Sequence, residues 1–250
     1  MILRSLTYVL SPLAALCLWE LLAWAAVLDV RFFPPPTEIL HYLIFVSPGE
    51  GLIRDLSASL YRIAWGYSAG SLAGGALGIA MGLSVVTRNC FYPLVAMTYP
   101  VPKIAILPLI MLIFGIGELS KIVVVAIGSF FLVLMNTMHG VRSLPGIYHD
   151  VAAVNQVSRV DLVFRVVLPG ALPSIFTGLK LAIGYSLVIV VAAEFSGADA
   201  GIGYLIWQSW ETFSITAMYA GIFVIGALGF VFSYGLELLE RWLVPWRRDK

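Results

Sequence analysis

One serine in this sequence has the spacing of a hydrolase nucleophile. Gly66-Tyr67-Ser68-Ala69-Gly70 matches Gly-x-Ser-x-Gly, a motif that works on a sharp strand-to-helix turn with an acid and a histidine nearby. Here it lies inside an apolar run, and His41, His139 and His149 are scattered along the chain. We therefore expect no catalytic residue and no enzyme activity. A membrane-embedded hydrolase is an alternative that rests on Ser68 alone.

A lysine among prolines is the second group that could do chemistry. Pro100, Pro102 and Pro108 interrupt an apolar run, and Lys103 lies at the break. Each proline removes a backbone donor, and broken helices inside membranes tend to line cavities. A cation at such a place suits the passage of an anion. Snorkelling to the interface, or pairing with a carboxylate, explains it equally well.

Two carboxylates also lie within apolar segments. Glu194 follows Ala192-Ala193, and Glu20 belongs to the first apolar run. Either could pair with Lys103 or guard a gate, and a half-solvated structural role is the alternative for both. The candidate translocation pathway therefore comprises Pro100, Pro102, Lys103 and Glu194.

The composition shows which elements must position these residues. The 250 residues are 60% apolar and 12% charged, with a mean hydropathy of +0.96, against roughly 45–50% apolar and 25% charged in soluble domains. Cys17 and Cys90 have no ligand partner at motif spacing, so no metal site is expected. We expect lipid, not nucleic acid, around this chain.

Continuous apolar runs predict an all-α integral membrane protein of about six transmembrane helices, because a span needs around 20 apolar residues. A cleaved secretory signal is the alternative for the first run, since Ala23-Trp24-Ala25 resembles a cleavage site. Its length and Glu20 favour a retained span. The runs lie near residues 7–28, 60–84, 91–114, 121–138, 175–195 and 215–238.

The basic residues predict the orientation. If six helices alternate, Arg31, Arg54, Arg62 and Lys121 lie on one side. The larger group lies on the other side, which the positive-inside rule makes cytoplasmic, together with both termini. That group is Arg4, Arg88, Arg142, Arg159, Arg165, Arg241, Arg247, Arg248 and Lys250.

Two external connections and one glycine ridge complete the pattern. Residues 29–57 form a loop in which a short helix starts after Pro34-Pro35-Pro36, and residues 196–203 are mobile or tightly turned. Glycines at four-residue spacing in the second run would let another helix approach closely, either as static packing or as a sliding contact. They are Gly66, Gly70, Gly74, Gly78 and Gly82.

The longest cytoplasmic segment, about 140–173, predicts a docking site for a partner. Asp150 is expected to open a short helix that ends before a turn at Asn155-Gln156. Ser158 and Asp161 form a cap-like pair for a second helix, and Leu168-Pro169 with Pro173 should end it. An ordinary connector is the alternative, but it does not explain the length.

Several motifs together resemble the binding-protein-dependent ABC permeases for sulfonate, taurine, nitrate and bicarbonate. The likeness runs through most of the chain and is strong only in combination. It is carried by residues 33–38 (FPPPTE), 59–62 (SLYR), 102–109 (PKIAILPL), 114–121 (FGIGELSK), 140–142 (GVR), 167–173 (VLPGALP) and 201–204 (GIGY).

This resemblance implies a type I ABC importer (MetI-like) permease fold, as a single domain over residues 1–250. Such permeases dock on the ATPase through a cytoplasmic EAA loop, Glu-Ala-Ala, three residues, Gly, nine residues, then Ile-x-Leu-Pro. Here Gln156 replaces the glycine, and Asn155 is the residue expected to take the left-handed turn instead. The implied docking residues are Asp150, Val151, Ala152, Ala153, Gln156, Val166, Leu168 and Pro169.

The resemblance also implies partners and a transport cycle. It predicts a dimer of permeases in a prokaryotic inner membrane, cytoplasmic ATPase subunits and an external solute-binding protein. No lysine precedes Ser or Thr, so the phosphate-binding P-loop is missing, and ATP with its Mg²⁺ should bind the partner ATPase. Alternating access would move a small polar solute, a sulfonate-type anion ahead of nitrate, bicarbonate or a vitamin precursor. A stand-alone secondary transporter is the alternative.

Overall fold

Helices are the main elements of the described chain, which in this computed structural model comprises residues 2–49 and 51–246. The side chains of residues 2–9, 149, 150, 152, 153 and 159 lie outside this description. No strand occurs within the described ranges. The helices are α1 (Ile2–Trp24), α2 (Pro36–His41), α3 (Leu52–Leu83), α4 (Val85–Thr98), α5 (Leu107–Phe114), α6 (Glu118–Arg142), α7 (Ile147–Val154), α8 (Arg159–Leu162), α9 (Leu168–Glu194), α10 (Ile202–Glu211) and α11 (Ile215–Leu243).

Three helical segments of the described chain are long and apolar enough to cross a membrane. They are α6, the continuous helical stretch Val160–Glu194 that contains α9, and α11. A fourth crossing is counted if α4 and the segment Lys103–Phe114, bent by 87°, form one broken span. The 32 residues of α3 are about 48 Å long, but its glycines lower its hydropathy. The count of six spans therefore stays a prediction.

The glycine ridge of α3 packs against α6. A Cβ at Gly66 would lie 2.7 Å from the carbonyl oxygen of Ile122, one at Gly70 would collide with that of Ala126, and one at Gly78 would lie 2.7 Å from that of Leu134. Gly74 and Gly82 make equally close approaches to Phe130 and Val141. The missing side chains of the ridge therefore leave room for α6 to lie close to α3.

The order of these contacts shows the helix directions. Residue numbers rise together along α3 and α6, so the two helices are parallel, and the intervening segment 84–117 must return from one end to the other. In contrast, α9 runs antiparallel to α6, because Gly128 lies against Ile189 and Gly140 against Ser174. The hydroxyls of Ser129 and Ser186 also bond at 2.8 Å. This three-helix core positions the charged residues described below.

The chain divides into two compact units, Met1–Ala58 with Asp199–Gly226, and Ser59–Ala198 with Ala227–Lys250. In the first unit, the Glu20 carboxylate accepts hydrogen bonds from the Thr37 amide (3.0 Å) and hydroxyl (2.8 Å). Glu20 thus caps the start of α2, where backbone donors have no helical partner. Of the alternatives for Glu20, these contacts support the structural role. The division leaves the prediction of a single permease domain untested.

Two predicted connections have a definite structure within the first unit. The short helix expected after the prolines is α2, but the loop is shorter than predicted because α3 already begins at Leu52. The Asp55 carboxylate accepts from the Gly201 amide at 2.9 Å, and Arg54 donates to the Asp199 carbonyl oxygen at 2.9 Å. Residues 199–201 of the 196–203 connection therefore form a turn that is hydrogen-bonded to the start of α3.

Candidate functional site

The chain breaks between α4 and α5, where the prolines predict it. Pro100 and Pro102 lie between the end of α4 and the 3-10 helix Lys103–Ile106 that leads into α5. Pro108 does not interrupt a helix, which corrects the prediction for this residue. It lies in the first turn of α5, where the missing amide would have no intrahelical acceptor.

Lys103 stabilises the break. Its ammonium donates to the carbonyl oxygens of Thr98 (2.8 Å), Tyr99 (3.0 Å) and Val101 (2.8 Å) and lies 4.2 Å from the Phe131 ring centroid. An ammonium has three donors, and the backbone carbonyls at and just after the end of α4 accept from all of them. Lys103 is 4% exposed, so it does not snorkel. Its observed contacts are those of a helix cap.

A cavity of about 470 Å³ adjoins this cap. It is lined by Pro100, Pro102 and Lys103, by Tyr99 of the same segment, and by Phe131 of α6 and Tyr185 of α9. Three of the four predicted pathway residues therefore come together, as a mainly apolar wall with one buried cation. Glu194 is not among the lining residues.

Glu194 belongs to a second cluster, at the end of α9. Its carboxylate accepts from the Ser59 hydroxyl at 2.7 Å and from Arg62 at 2.7 Å. Arg62 also donates to Glu118 from Nε (2.7 Å) and Nη2 (2.5 Å). Of the alternatives for Glu194, pairing with Lys103 is not observed, because Arg62 and Ser59 bind its carboxylate.

The charges of this cluster balance. Lys121 is buried beside it and donates to the carbonyl oxygens of Gly117 and Gly197, each at 3.2 Å. The Arg62 and Glu194 side chains are 2% and 0% exposed, while Glu118 is about half exposed. Buried charges need such partners, since removing one leaves another uncompensated. The cluster thus holds α3, the start of α6 and the end of α9 together.

The predicted docking segment lies at the opposite end of α6 and α9. α7 begins at Ile147, so Asp150 lies inside this helix and does not open it. Ser158 behaves as predicted, because its hydroxyl accepts from the Asp161 amide at 3.1 Å and donates to its carboxylate at 2.7 Å. The side chains of Asp150, Ala152 and Ala153 lie outside the described part of the chain.

The connection between this segment and α9 also differs from the prediction. Leu168-Pro169 and Pro173 do not end the second helix, because a π-helical turn, Val163–Val167, carries it directly into α9. Proline is tolerated in the first turn of a helix, where Pro169 lies. Val167, not Val166, is fully buried, in a cluster with Val141 and Ala171.

Gln156 takes the left-handed turn itself. Its φ is +53°, a conformation in which a Cβ is crowded. Asn155 instead donates from its side chain to the Val151 carbonyl oxygen at 2.8 Å. The expectation that Asn155 takes positive φ is therefore wrong.

Among the described side chains of this segment, seven large apolar ones are exposed. Val154 is 82% exposed and Val160 and Phe164 about two-thirds exposed. Large exposed apolar patches indicate interaction sites. We call this set the docking face: Ile147, Tyr148, Val151, Val154, Val157, Val160 and Phe164.

Comparison with known proteins decides the family. Residues 66–249 match the model of the binding-protein-dependent transport system inner membrane component. The chain belongs to this family. It is therefore a permease component of a membrane transport system, a multi-pass membrane protein and not itself an enzyme.

Individual relatives of this permease align over almost its whole length. The taurine transport system permease protein of Escherichia coli strain K12 is 36% identical, over 98% of this chain and 92% of that protein. A putative aliphatic sulfonates transport permease protein of Bacillus subtilis strain 168 is 33% identical, over 96% and 87%. The nitrate import permease protein of Leptolyngbya laminosa is 32% identical, over 97% and 88%.

Solved structures show the fold of this permease. Two inward-facing structures of the MetNI methionine ABC transporter superpose with TM-scores of 0.70 and 0.71, at 17% and 15% identity. They cover 77% and 80% of this chain, and 95% and 99% of the matched chains. The predicted MetI-like fold is thereby confirmed.

The permease contains buried charges whose role the sequence alone did not reveal. The pattern of basic residues places Arg62 and Lys121 only on one side of the membrane, and the sequence predicts no role for Glu118. Ser59 and Arg62 one turn apart on α3 were the available signal, since a buried arginine demands carboxylates. Among the described side chains, no group of three or more His, Cys, Asp or Glu could hold a metal ion.

Proposed function

We propose that this permease is the membrane subunit of an ATP-driven importer for a small anion, with sulfonate-type solutes first. Nitrate, bicarbonate and a vitamin precursor are the alternatives. The relatives named above transport taurine, aliphatic sulfonates and nitrate by their names, which supports an oxyanion.

The docking face is the observation that carries this proposal. A transporter working alone has no need of seven apolar side chains exposed on a segment between two spanning helices, whereas a partner groove would bury them. In this proposal cytoplasmic ATPase subunits bind that face, and ATP with Mg²⁺ binds to them. Family membership implies both an ATPase and a binding protein as partners.

The complete importer would comprise two copies of this chain, the ATPase subunits and an external solute-binding protein. We place it in a prokaryotic inner membrane. The positive-inside rule puts both termini and the docking face in the cytoplasm. The Arg62–Glu194 cluster then lies at the external end.

The antiparallel pair α6 and α9 supports an alternating-access mechanism. The 25 residues of α6 span about 37 Å, with the docking segment at one end and the Arg62–Glu194 cluster at the other. Close packing through Gly128, Gly140 and Gly178 lets the pair move as one body. Movement of the ATPase against the docking face would thus reach the external end.

The deciding experiment measures ATP hydrolysis by the complex in lipid. The permease is co-expressed with its ATPase and supplied with the binding protein and a panel of taurine, alkanesulfonates, nitrate, bicarbonate and a vitamin precursor. Stimulation by one loaded binding protein is expected. Flat hydrolysis without complex formation, from folded components, would favour a stand-alone secondary transporter.

A variant of the docking face sharpens this experiment. Val154→Arg places a charge in the proposed contact and should weaken ATPase binding at least about ten-fold, because it buries an unpaired charge. Val27→Arg, on a similarly exposed valine after α1, is the matched control. Equal ATPase binding by both variants would show that the docking face is misplaced.

A further inference from the structure

A large cleft lies between α4 and α6, at the same end of these helices as the docking segment. Its volume is about 910 Å³. The first half of α4 and the last half of α6 line it, and α6 ends there at Arg142. It is separate from the cavity beside Lys103, since the two share no lining residue.

The lining of this cleft is basic. Arg88, Arg142 and His139 contribute cationic or titratable groups, and Asn89 and Asn136 add amide groups. None of the described residues that line the cleft carries a carboxylate. The cleft therefore differs from the Arg62–Glu194 cluster, in which every cation has an anionic or carbonyl partner.

Among the residues that the structure describes, neither arginine of the cleft forms an ion pair. The one described hydrogen bond of the Arg88 guanidinium is a long one, 3.4 Å, to the Met81 carbonyl oxygen. This bond orients the side chain but does not neutralise its positive charge. The guanidinium is planar and suits oxyanions, which it binds with two parallel N–H donors. Amide N–H groups from asparagine can complete such a site.

We propose that this cleft is an oxyanion-binding site, in which Arg88 and Arg142 hold the anionic group of the solute before its release. The inference rests on the proposed transport of a small anion and assigns the residues that receive it at the docking-segment end. Sulfonate, nitrate and bicarbonate share this chemistry with the phosphate of a lipid headgroup, so the test must separate the two sources.

The first test measures the charge of the cleft without transport. Asn89→Cys is made in a Cys17→Ser, Cys90→Ser background, and its labelling rates with anionic and cationic methanethiosulfonate reagents are compared in the intact complex. Adding Arg88→Gln and Arg142→Gln should lower the anionic-to-cationic rate ratio at least about five-fold, because two positive charges are removed nearby. Arg241→Gln, an exposed arginine paired with Glu237, should leave the ratio unchanged.

The second test measures occupancy through the same cysteine. In nanodiscs of neutral phosphatidylcholine, taurine, methanesulfonate or nitrate should slow labelling saturably compared with chloride at equal ionic strength. Protection seen only with anionic phosphatidylglycerol would assign the same oxyanion site to a lipid headgroup. Absence of protection from both sources, or a rate ratio unmoved by the arginine variants, would overturn the site.

Failure of this inference is distinguishable from failure of the proposed function. If a loaded binding protein stimulates ATP hydrolysis but neither labelling result appears, the importer stands and the cleft is not its anion site. If hydrolysis is never stimulated while labelling shows saturable anion protection, the site stands and the importer fails. The control variant Arg241→Gln checks folding in both assays.

Discussion

Arg62 of α3 donates to Glu194 of α9 at 2.7 Å, and both side chains are almost completely buried. The same guanidinium holds Glu118 at the start of α6. One arginine therefore joins three helices at one end of the core, and its positive charge has two carboxylates around it. A buried ion pair contributes little by its existence, but breaking it by removing one partner is costly.

Arg62→Met should destabilise the permease by roughly 3–5 kcal/mol, because Glu194 would remain buried without its cation. Thermal unfolding of the purified permease in lipid measures the effect. Combining Arg62→Met with Glu194→Gln should recover part of the loss, since the remaining partner is then uncharged. Arg241→Gln, at an exposed pair, is the control and should cost no more than about 1 kcal/mol. If Arg62→Met unfolds like the parent chain, the cluster is not a structural joint.

Gly70→Ala should cost about 1–3 kcal/mol of stability by forcing α3 away from α6. A Cβ at Gly70 would collide with the carbonyl of Ala126, and backbone cannot rotate aside as a side chain can. Gly75→Ala is the matched control on the same helix. Its Cβ would lie 3.9 Å from the nearest atom, on Val133, so it should be neutral or slightly stabilising. Unfolding midpoints of the two variants in one lipid check the difference, and equal midpoints would contradict the tight contact.

The glycine ridge and the charged residues show how far the sequence could predict the fold. Four-residue spacing in one helix reveals a small-residue face, so the ridge was predictable. The helix that packs against the ridge was not predictable, because the parallel pairing of α3 with α6 depends on where the intervening segment turns back. The Arg62 partners were missed for the same reason, since Glu118 and Glu194 are 56 and 132 residues away in sequence.

Lys103→Met should lower the maximal rate of uptake and the stability, but leave the apparent KM for the solute unchanged. The ammonium donates to three carbonyl oxygens at and just after the end of α4, and a hydrogen bond from a charged group contributes about 1.5–3 kcal/mol. Uptake kinetics in proteoliposomes, normalised to folded permease, measure this. A raised KM at normal stability would instead identify Lys103 as a solute contact, as its position at the helix break also suggests from sequence.

The docking segment shows the limit of motif spacing. The Ser158–Asp161 cap was predictable, because it is local and needs only three residues of spacing. Two features were not predictable: the helix start at Ile147, and the continuation through Val163–Val167 into α9. A π-helical turn carries no strong residue preference, and here the helix continues past Pro169 and Pro173. Spacing to Leu168-Pro169 did place Gln156 at the turn, and only the backbone shows that Gln156 itself adopts positive φ.

Gln156→Gly should stabilise the docking segment, because glycine adopts the left-handed conformation without the crowding that a Cβ causes there, a cost of about 1–2 kcal/mol. The gain should appear as tighter ATPase binding, since less of the segment must be ordered on contact. Gln156→Ala keeps the Cβ at φ +53° and is the control, with no gain expected. Gln156→Asn should fall between them, because asparagine tolerates this region better than most residues. Titration of the ATPase onto each variant in nanodiscs tests the order Gly, Asn, Ala, and tighter binding by the alanine variant than by the glycine variant would show that side-chain contacts of Gln156, not backbone strain, control docking.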